Sequence, residues 1–294
     1  MIMANTREIR NRIRSVKNIQ QITRAMEMVA ASKLKRAQDL VYAAEPYAEK
    51  LRHIMSEVGK SVAGVTHPLL VQRPVERTCV VVMTSDKGLC GAYNSNIISR
   101  SMEFVKSLNR ESVRLVLIGK KANDFYKRRP YEILKYWPFP GREVDVAFVA
   151  EVTRFLAEGY ERADFDQVVM FYTKFKSAMV TIPKQVQLLP LETAEGEAAD
   201  EGMVSPLYIF EPTAEELMQL LLPKYLQNQI YLAFVEAAAS EHGNRMVSMR
   251  SATDNADEMI RTLTLNYNKI RQASITREIL EVVAGADATA KKKQ

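Results

Sequence analysis

Residues 9–58 read IRNRIRSVKNIQQITRAMEMVAASKLKRAQDLVYAAEPYAEKLRHIMSEV, and this stretch decides the fold. Apolar residues recur on one helical face, with fourteen steps over 49 residues and a mean spacing of 3.5. That spacing is typical of a coiled-coil seam. The predicted stripe contains Ile9, Ile13, Val16, Ile19, Ile22, Met26, Val29, Lys33, Ala37, Leu40, Ala44, Tyr47, Leu51, Ile54 and Val58, with Lys33 as a polar interruption.

The first helix has a predicted start in Asn5, an N-cap residue with Glu8 three positions later to close a capping box. Pro46 lies inside the pattern and predicts a kink. A second long pattern follows Thr213, which is a predicted N-cap with Glu216 at the third helical position. Pro223 predicts a bend in this second helix.

At 1.5 Å per residue the first helix would span about 80 Å and the second about 105 Å. A single helix of that length cannot bury its apolar stripe without a partner. We therefore expect residues 1–60 and 211–286 to form an antiparallel coiled coil, with residues 287–294 as a flexible tail. Small residues on the second helix allow a partner helix to approach closely. They are Ala233, Ala237, Ala238, Ala239, Ala252, Ala256 and Ala273.

Residues 76–210 alternate short apolar strands with helices, which predicts an α/β domain with a mostly parallel, Rossmann-like sheet. The strongest strand signals are TCVVVM at 78–83 and VRLVLI at 113–118. Residues 168–172 and 179–189 are further strands, predicted to pair antiparallel because their link is short. Residues 191–205 are predicted to be an exposed acidic loop, and residues 207–210 a last short strand.

The net charge of +6 is concentrated at the N-terminal end. Residues 1–36 contain nine Lys or Arg against two Glu, and residues 185–223 contain eight acids and no Lys or Arg. The basic end predicts an acidic partner, either nucleic acid or an acidic protein surface, unless it is only a solvated helix face.

Motifs for catalysis and for cofactors are missing. Neither GxGxxG nor GxxxxGK[ST] occurs, and Gly88 to Gly91 resembles a phosphate-binding turn only loosely. His53, His67 and His242 have no metal-ligand spacing. We expect no catalytic, cofactor or metal site, and two reduced cysteines. No run of about 20 apolar residues predicts a membrane span, and the N-terminus has no recognisable leader.

The stretch TSDKGLCGAYN at 84–94 resembles the gamma subunits of F-type ATP synthases. Two other blocks agree with that family. One is residues 9–35, especially QITRAMEMVAASK at 21–33, and the other is RMVSMRSATDNA at 245–256, continuing to YNKIRQASIT at 267–276. Together they cover the whole chain. The absence of a mitochondrial leader, and of the cysteine-bearing insert found in chloroplast forms, makes the chain resemble bacterial gamma subunits.

The resemblance implies a non-catalytic rotor that couples ion-driven rotation of a c-ring to the beta-subunit catalytic sites. Its implied partners are the alpha3beta3 hexamer, chiefly the beta subunits, the epsilon subunit and the c-ring, with one copy per complex on the cytoplasmic side of the plasma membrane. By motif, the implied beta-subunit contacts are Met26, Lys33, Lys87, Cys90, Arg245, Arg271, Gln272 and Thr276. Tyr208 is the implied contact with the c-ring or epsilon.

Two other functions compete with the rotor. A basic coiled-coil scaffold or nucleic-acid-binding protein would fit the N-terminal charge, and Lys127 to Tyr131 is the one stretch of the middle domain where basic and aromatic residues cluster. A nucleotide-dependent enzyme would fit the α/β domain and would bind ATP on its own.

Overall fold

The computed structural model describes residues 6–61, 67–140, 144–191 and 213–291. Two very long helices enclose a sequence of shorter helices and strands. In chain order the elements are α1 (Thr6–Ser61), β1 (Thr78–Met83), α2 (Tyr93–Ser107), β2 (Val113–Ile118), α3 (Lys120–Tyr126), β3 (Glu132–Trp137), α4 (Val146–Glu161), β4 (Gln167–Phe175), β5 (Thr181–Leu189) and α5 (Ala214–Lys291).

The five strands form one sheet in the order β3-β2-β1-β4-β5. β1 pairs in parallel with β2 and with β4, and β2 pairs in parallel with β3. β5 pairs antiparallel with β4. The predicted mostly parallel sheet is confirmed, together with its antiparallel last pair.

Strand β3 was missed by the sequence analysis. Its sequence EILKYW contains no apolar run, and only Trp137 at its end is buried. It lies at the edge of the sheet, where one side needs no strand partner and polar side chains meet solvent. A search for buried strands therefore has no signal to find it.

Helices cover both faces of the sheet. Val81 and Met83 of β1 belong to a buried cluster with residues of α1, α4 and α5. Val80 and Val82, which alternate with them, belong to a second cluster with residues of α2 and α3. Successive side chains of a strand point to opposite faces, so the continuous apolar sequence of β1 fits a strand buried on both sides.

The chain divides into two compact units, one formed by residues 1–29 and 246–294 and the other by residues 30–245. We call the first the coil unit and the second the sheet unit. Both long helices contribute to both units. Residues 30–61 of α1 and 214–245 of α5 therefore belong with the sheet, a finer division than the predicted boundaries at residues 60 and 211.

In the coil unit the two helices run antiparallel. Thr23 and Thr253 share a buried hydrogen bond of 2.8 Å between their hydroxyl groups. Gln20 donates to Asp257 over 2.5 Å, one turn further along each helix in opposite directions. Arg10 donates to the Tyr267 hydroxyl over 2.7 Å. Because the partner number rises as the α1 number falls, the predicted antiparallel pairing is confirmed.

The predicted stripe was wrong at six of its fifteen positions, whereas Ile9, Ala37, Leu51 and Val58 are buried as predicted. Ile19, Ile22 and Val29 are more than half exposed, and Lys33 is exposed. Six buried residues of α1 each follow a residue of the predicted stripe by one position: Thr23, Ala30, Leu34, Val41, Ala48 and Met55. The spacing of 3.5 is retained, but at these positions the buried residue is the neighbour of the predicted one.

The helix boundaries test the capping predictions. Thr213 and Glu216 form a reciprocal capping box, each backbone N–H donating to the other's side chain over 3.3 Å. Helix α1 continues through Pro46 and α5 through Pro223, so neither proline ends its helix. Asn5, the predicted first cap, lies outside the described residues, and so does the predicted strand at residues 207–210. No helix of the described ranges has an apolar stretch long enough to cross a membrane.

Candidate partner-binding surfaces

The loop of residues 84–94 follows β1 and leads into α2. Asn94 organises it: its side-chain oxygen accepts from the Ser85 backbone N–H over 3.0 Å, and its amide donates to the Ser85 hydroxyl over 2.9 Å and to the Cys90 sulfur over 3.2 Å. The Ser85 hydroxyl in turn donates to the Lys87 carbonyl over 2.7 Å. A polar network beneath the loop thus fixes its conformation.

In this loop Lys87 and Leu89 are exposed to solvent, and Cys90 is buried. Leu89 is 61% exposed, in a left-handed conformation with φ of 60°, whereas Cys90 is 1% exposed. Burial raises the pKa of the Cys90 thiol, and the nearby Arg245 charge partly opposes that rise. A partner that touches this loop meets Lys87 and Leu89, while Cys90 supports them from below.

Arg245 joins this loop to α5. Its guanidinium donates to the Gly88 carbonyl over 3.2 Å and forms an ion pair with Glu241 over 2.6 Å. Both side chains are about nine-tenths buried. Burial raises the Glu241 pKa, while Arg245 lowers it. The predicted contact residue Arg245 therefore has internal partners, and it lies with Cys90 and the Lys87 loop.

His242 shares this environment. Burial lowers its pKa to about 4, with further lowering by the positive charges of Arg245 and Lys33. Its Nδ1 atom lies 3.3 Å from an Arg245 nitrogen, which suits a neutral ring that accepts a hydrogen bond. Lys33 is itself exposed. Within the sheet unit the structure therefore brings four of the predicted residues into one region: Lys33, Lys87, Cys90 and Arg245.

The remaining predicted residues with described positions lie in the coil unit. Met26 is half-buried, and Arg271, Gln272 and Thr276 are exposed on α5. The Thr276 hydroxyl donates to the Gln272 carbonyl one turn earlier over 3.0 Å. Tyr208 lies outside the described residues.

Large apolar side chains are exposed on this same unit. Every side chain of residues 271–284 is exposed. The large aliphatic ones among them are Ile275, Ile279, Leu280, Val282 and Val283. On α1 the exposed set is Ile19, Ile22, Met28 and Val29. Exposed aliphatic side chains at this density are typical of a protein-binding surface.

Comparison with known proteins decides the family. A family model described as ATP synthase matches residues 5–289. Over 290 residues the chain is 46% identical to the ATP synthase gamma chain of Heliobacterium modesticaldum, covering 97% of this chain and 99% of that one. It is 44% identical to that of Desulfitobacterium hafniense over 286 residues, with the same coverage. The chain belongs to the ATP synthase gamma family.

Solved structures agree. The central stalk and c-ring structure of the Tetrahymena thermophila mitochondrial ATP synthase contains a chain with a TM-score of 0.59 and 26% identity, covering 79% of this chain and 99% of that one. A chain in the Euglena gracilis mitochondrial enzyme, in an OSCP, F1 and c-ring structure, has a TM-score of 0.68 at 18% identity, covering 98% and 96%, which supports the fold. The resemblance drawn from the three sequence blocks is confirmed.

Two surface features were missed by the sequence analysis. Leu89 belongs to the loop of residues 84–94, but an isolated leucine in a sequence gives no sign that it is exposed. The outward face of α1 at Ile19 and Val29 was assigned to the seam, and only the register of the pairing reveals that it faces solvent. The sequence does contain a signal for the observed register, since Thr23 and Ala30 are seven residues apart, like Ile22 and Val29.

Proposed function

We propose that this chain is the central-stalk rotor of an F1Fo ATP synthase, coupling ion-driven rotation of a c-ring to conformational change at the beta-subunit catalytic sites. Its partners would be the alpha3beta3 hexamer, the epsilon subunit and the c-ring, with one copy in each complex. Its association with the membrane would be indirect, through the c-ring, on the cytoplasmic side of the plasma membrane.

The observation that carries this proposal is the exposed end of α5 in the coil unit. Residues 271–284 leave every side chain open to solvent, including five large aliphatic ones. A helix with such a surface is poorly suited to stand alone in water. An enclosing ring of subunits would cover it on all sides, which a partner docking on a single face would not do.

The charges of the coil unit suit contacts that form and break. Arg12, Arg14 and Arg24 are exposed on α1. An exposed ion pair contributes roughly 0.2–1 kcal/mol, so each contact with an acidic beta surface would be weak enough to exchange during rotation. Driving a beta subunit between states requires several kcal/mol, which many such contacts along a stiff helix pair can supply together.

The two units would contact the beta subunits through different residues. In the coil unit these are Met26, Arg271, Gln272 and Thr276; in the sheet unit they are Lys33 and the loop of residues 84–94, with Cys90 and Arg245 holding that loop from beneath. We add Leu89 as a direct contact because it is exposed at the loop's tip. Tyr208 stays the proposed contact with the c-ring or epsilon.

We propose that the sheet unit has no catalytic role. In open α/β sheets, ligands bind at the carboxyl ends of the strands where the strand order reverses, here between β1 and β4. Ser240 of α5 donates to the Thr173 carbonyl of β4 over 3.1 Å, and Tyr93 at the start of α2 donates to the Ala237 carbonyl over 3.3 Å. These two bonds support the proposal, because they hold the chain's own helix close to the crevice in which a nucleotide would bind.

The test is reconstitution. Alpha and beta chains from the same source are purified with and without this chain, and steady-state ATP hydrolysis is measured. We expect co-purification as one copy per three beta chains and a large loss of multi-site turnover when the chain is left out. Turnover that is unchanged without it would contradict the proposal, as would ATP binding by this chain alone.

A further inference from the structure

The contacts between α5 and the end of the sheet form a directional fastening. Ala237, Ser240 and Asn244 lie on one face of α5, spaced by three and four residues. The Tyr93 hydroxyl donates to the Ala237 carbonyl, and the Ser240 hydroxyl donates to the Thr173 carbonyl. Asn244 donates to the Thr181 hydroxyl at the start of β5 over 2.9 Å.

Close backbone approach completes this set. A Cβ atom at Gly243 would lie 3.2 Å from the Ala178 carbonyl oxygen in the turn between β4 and β5. Arg245 adds its bond to Gly88 in the loop after β1. Over about 12 Å of helix, α5 is therefore held by groups from β4, from β5 and from the loop between β1 and α2.

Hydrogen bonds restrain a helix differently from apolar packing. The hydrophobic effect is non-directional, so an apolar face resists separation more than it resists rotation or sliding. A hydrogen bond weakens steeply as its angle departs from linear, so several of them on one helix face fix its rotation about its own axis. Ser240 is fully buried, which keeps water from replacing its bond.

We propose that this fastening, formed by Tyr93, Thr173, Thr181, Ser240, Gly243 and Asn244, is the site at which torque passes from the sheet into α5. The inference rests on the proposed rotor function. It assigns to these residues a positioning role: they touch no nucleotide, and they prevent α5 from turning or sliding relative to the sheet under load.

The variant that tests it removes the three bonds between α5 and its neighbours: Tyr93→Phe, Ser240→Ala and Asn244→Ala together. The matched control is Gln219→Ala, an amide removed from an exposed position of the same helix. Each chain is assembled into the complete membrane complex. Hydrogen exchange of the amides of residues 236–245 then reports the fastening itself, with an expected increase of about fivefold for each bond lost.

The functional measurement is ATP-driven ion pumping against an opposing gradient, compared with ATP hydrolysis in the same vesicles. We expect the triple variant to hydrolyse ATP but to reach a smaller gradient, and the control to match the unmodified chain. A variant whose exchange increases while its gradient stays the same would overturn the inference. Failure of the unmodified chain to support any ATP-driven pumping would instead contradict the rotor function itself.

Discussion

The coil unit and the sheet unit share the same two helices, α1 and α5, but the helices are buried to different extents in the two units. In the sheet unit, α5 buries Leu222, Leu226 and Phe234 beneath a sheet. In the coil unit α5 buries Met249, Thr253 and Ala256, and the side chains of residues 271–284 all face solvent. One helix is therefore anchored by burial in one unit and left available for partners in the other.

The largest effect should come from a backbone position in the sheet unit. Gly119 has φ of 91°, and a Cβ there would lie 2.0 Å from the Thr84 carbonyl oxygen. Gly119→Ala therefore forces the turn between β2 and α3 to move, and we expect a loss of more than about 4 kcal/mol in the free energy of unfolding. Urea unfolding of the full chain measures it. Gly88→Ala is the control, since a Cβ at Gly88 has no neighbour within 4 Å.

A pair of truncations compares the two units directly. Phe234 is fully buried, with ring centroids 5.8 Å from Phe139 and 5.5 Å from Phe148. We expect Phe234→Ala to cost about 3–5 kcal/mol of stability. Leu265 is 71% exposed, and Leu265→Ala should stay within about 0.5 kcal/mol. Similar costs in urea unfolding would mean that the two units do not differ as described.

The pH dependence of stability should depend on His242. Its pKa is about 4 in the folded chain and near 6.5 when unfolded, because burial, Arg245 and Lys33 disfavour its protonation. Below pH 6.5 the unfolded chain takes up the proton first. Stability present above that pH is therefore lost as the pH falls toward 4, by up to about 3 kcal/mol.

The variant His242→Gln cannot titrate and should lack this loss. The difference between the two chains is the quantity to follow, because Glu241, whose pKa is raised, acts in the opposite direction in both. Equilibrium unfolding at several pH values between 4 and 7 gives the result. Parallel stability curves for the two chains would show that His242 does not carry the effect.

The smallest effect concerns the seam of the coil unit. Thr23 and Thr253 share one buried hydrogen bond. A double-mutant cycle with Thr23→Val and Thr253→Val should give a coupling energy of about 0.5–1.5 kcal/mol. The matched control cycle uses Ile22→Val with Thr253→Val, because Ile22 is 59% exposed, and its coupling should be near zero. The reverse ranking would restore the seam register predicted from the sequence.

The positions of the helices and strands could be predicted from the sequence better than the exposure of their side chains. The strands that begin at Thr78 and Val113 were predicted correctly, because a strand buried on both faces has a nearly continuous apolar sequence. The period of α1 was also right, because it reflects helix geometry. Strand β3 was not found, since an edge strand needs no such run.

The same holds for the candidate contact residues: they could be proposed from the sequence, but their exposure could not be predicted. Family motifs brought attention to Lys87 and Arg245, but no local pattern says that one is exposed and the other paired with Glu241. Whether a side chain is buried depends on which residues the pairing of α1 and α5 places opposite it. A one-residue change of register exchanged the fates of Ile22 and Thr23, and periodicity alone cannot select between neighbours.

The most direct measurement is single-molecule rotation of a complex whose helices are joined. Thr23→Cys with Thr253→Cys places two thiols where hydroxyls now lie 2.8 Å apart. The account predicts that a disulfide forms readily, and that ATP still drives continuous rotation at an unchanged rate, because the two helices already turn as one shaft. A disulfide that does not form, or one that stops rotation while ATP hydrolysis at the beta subunits continues, would contradict it.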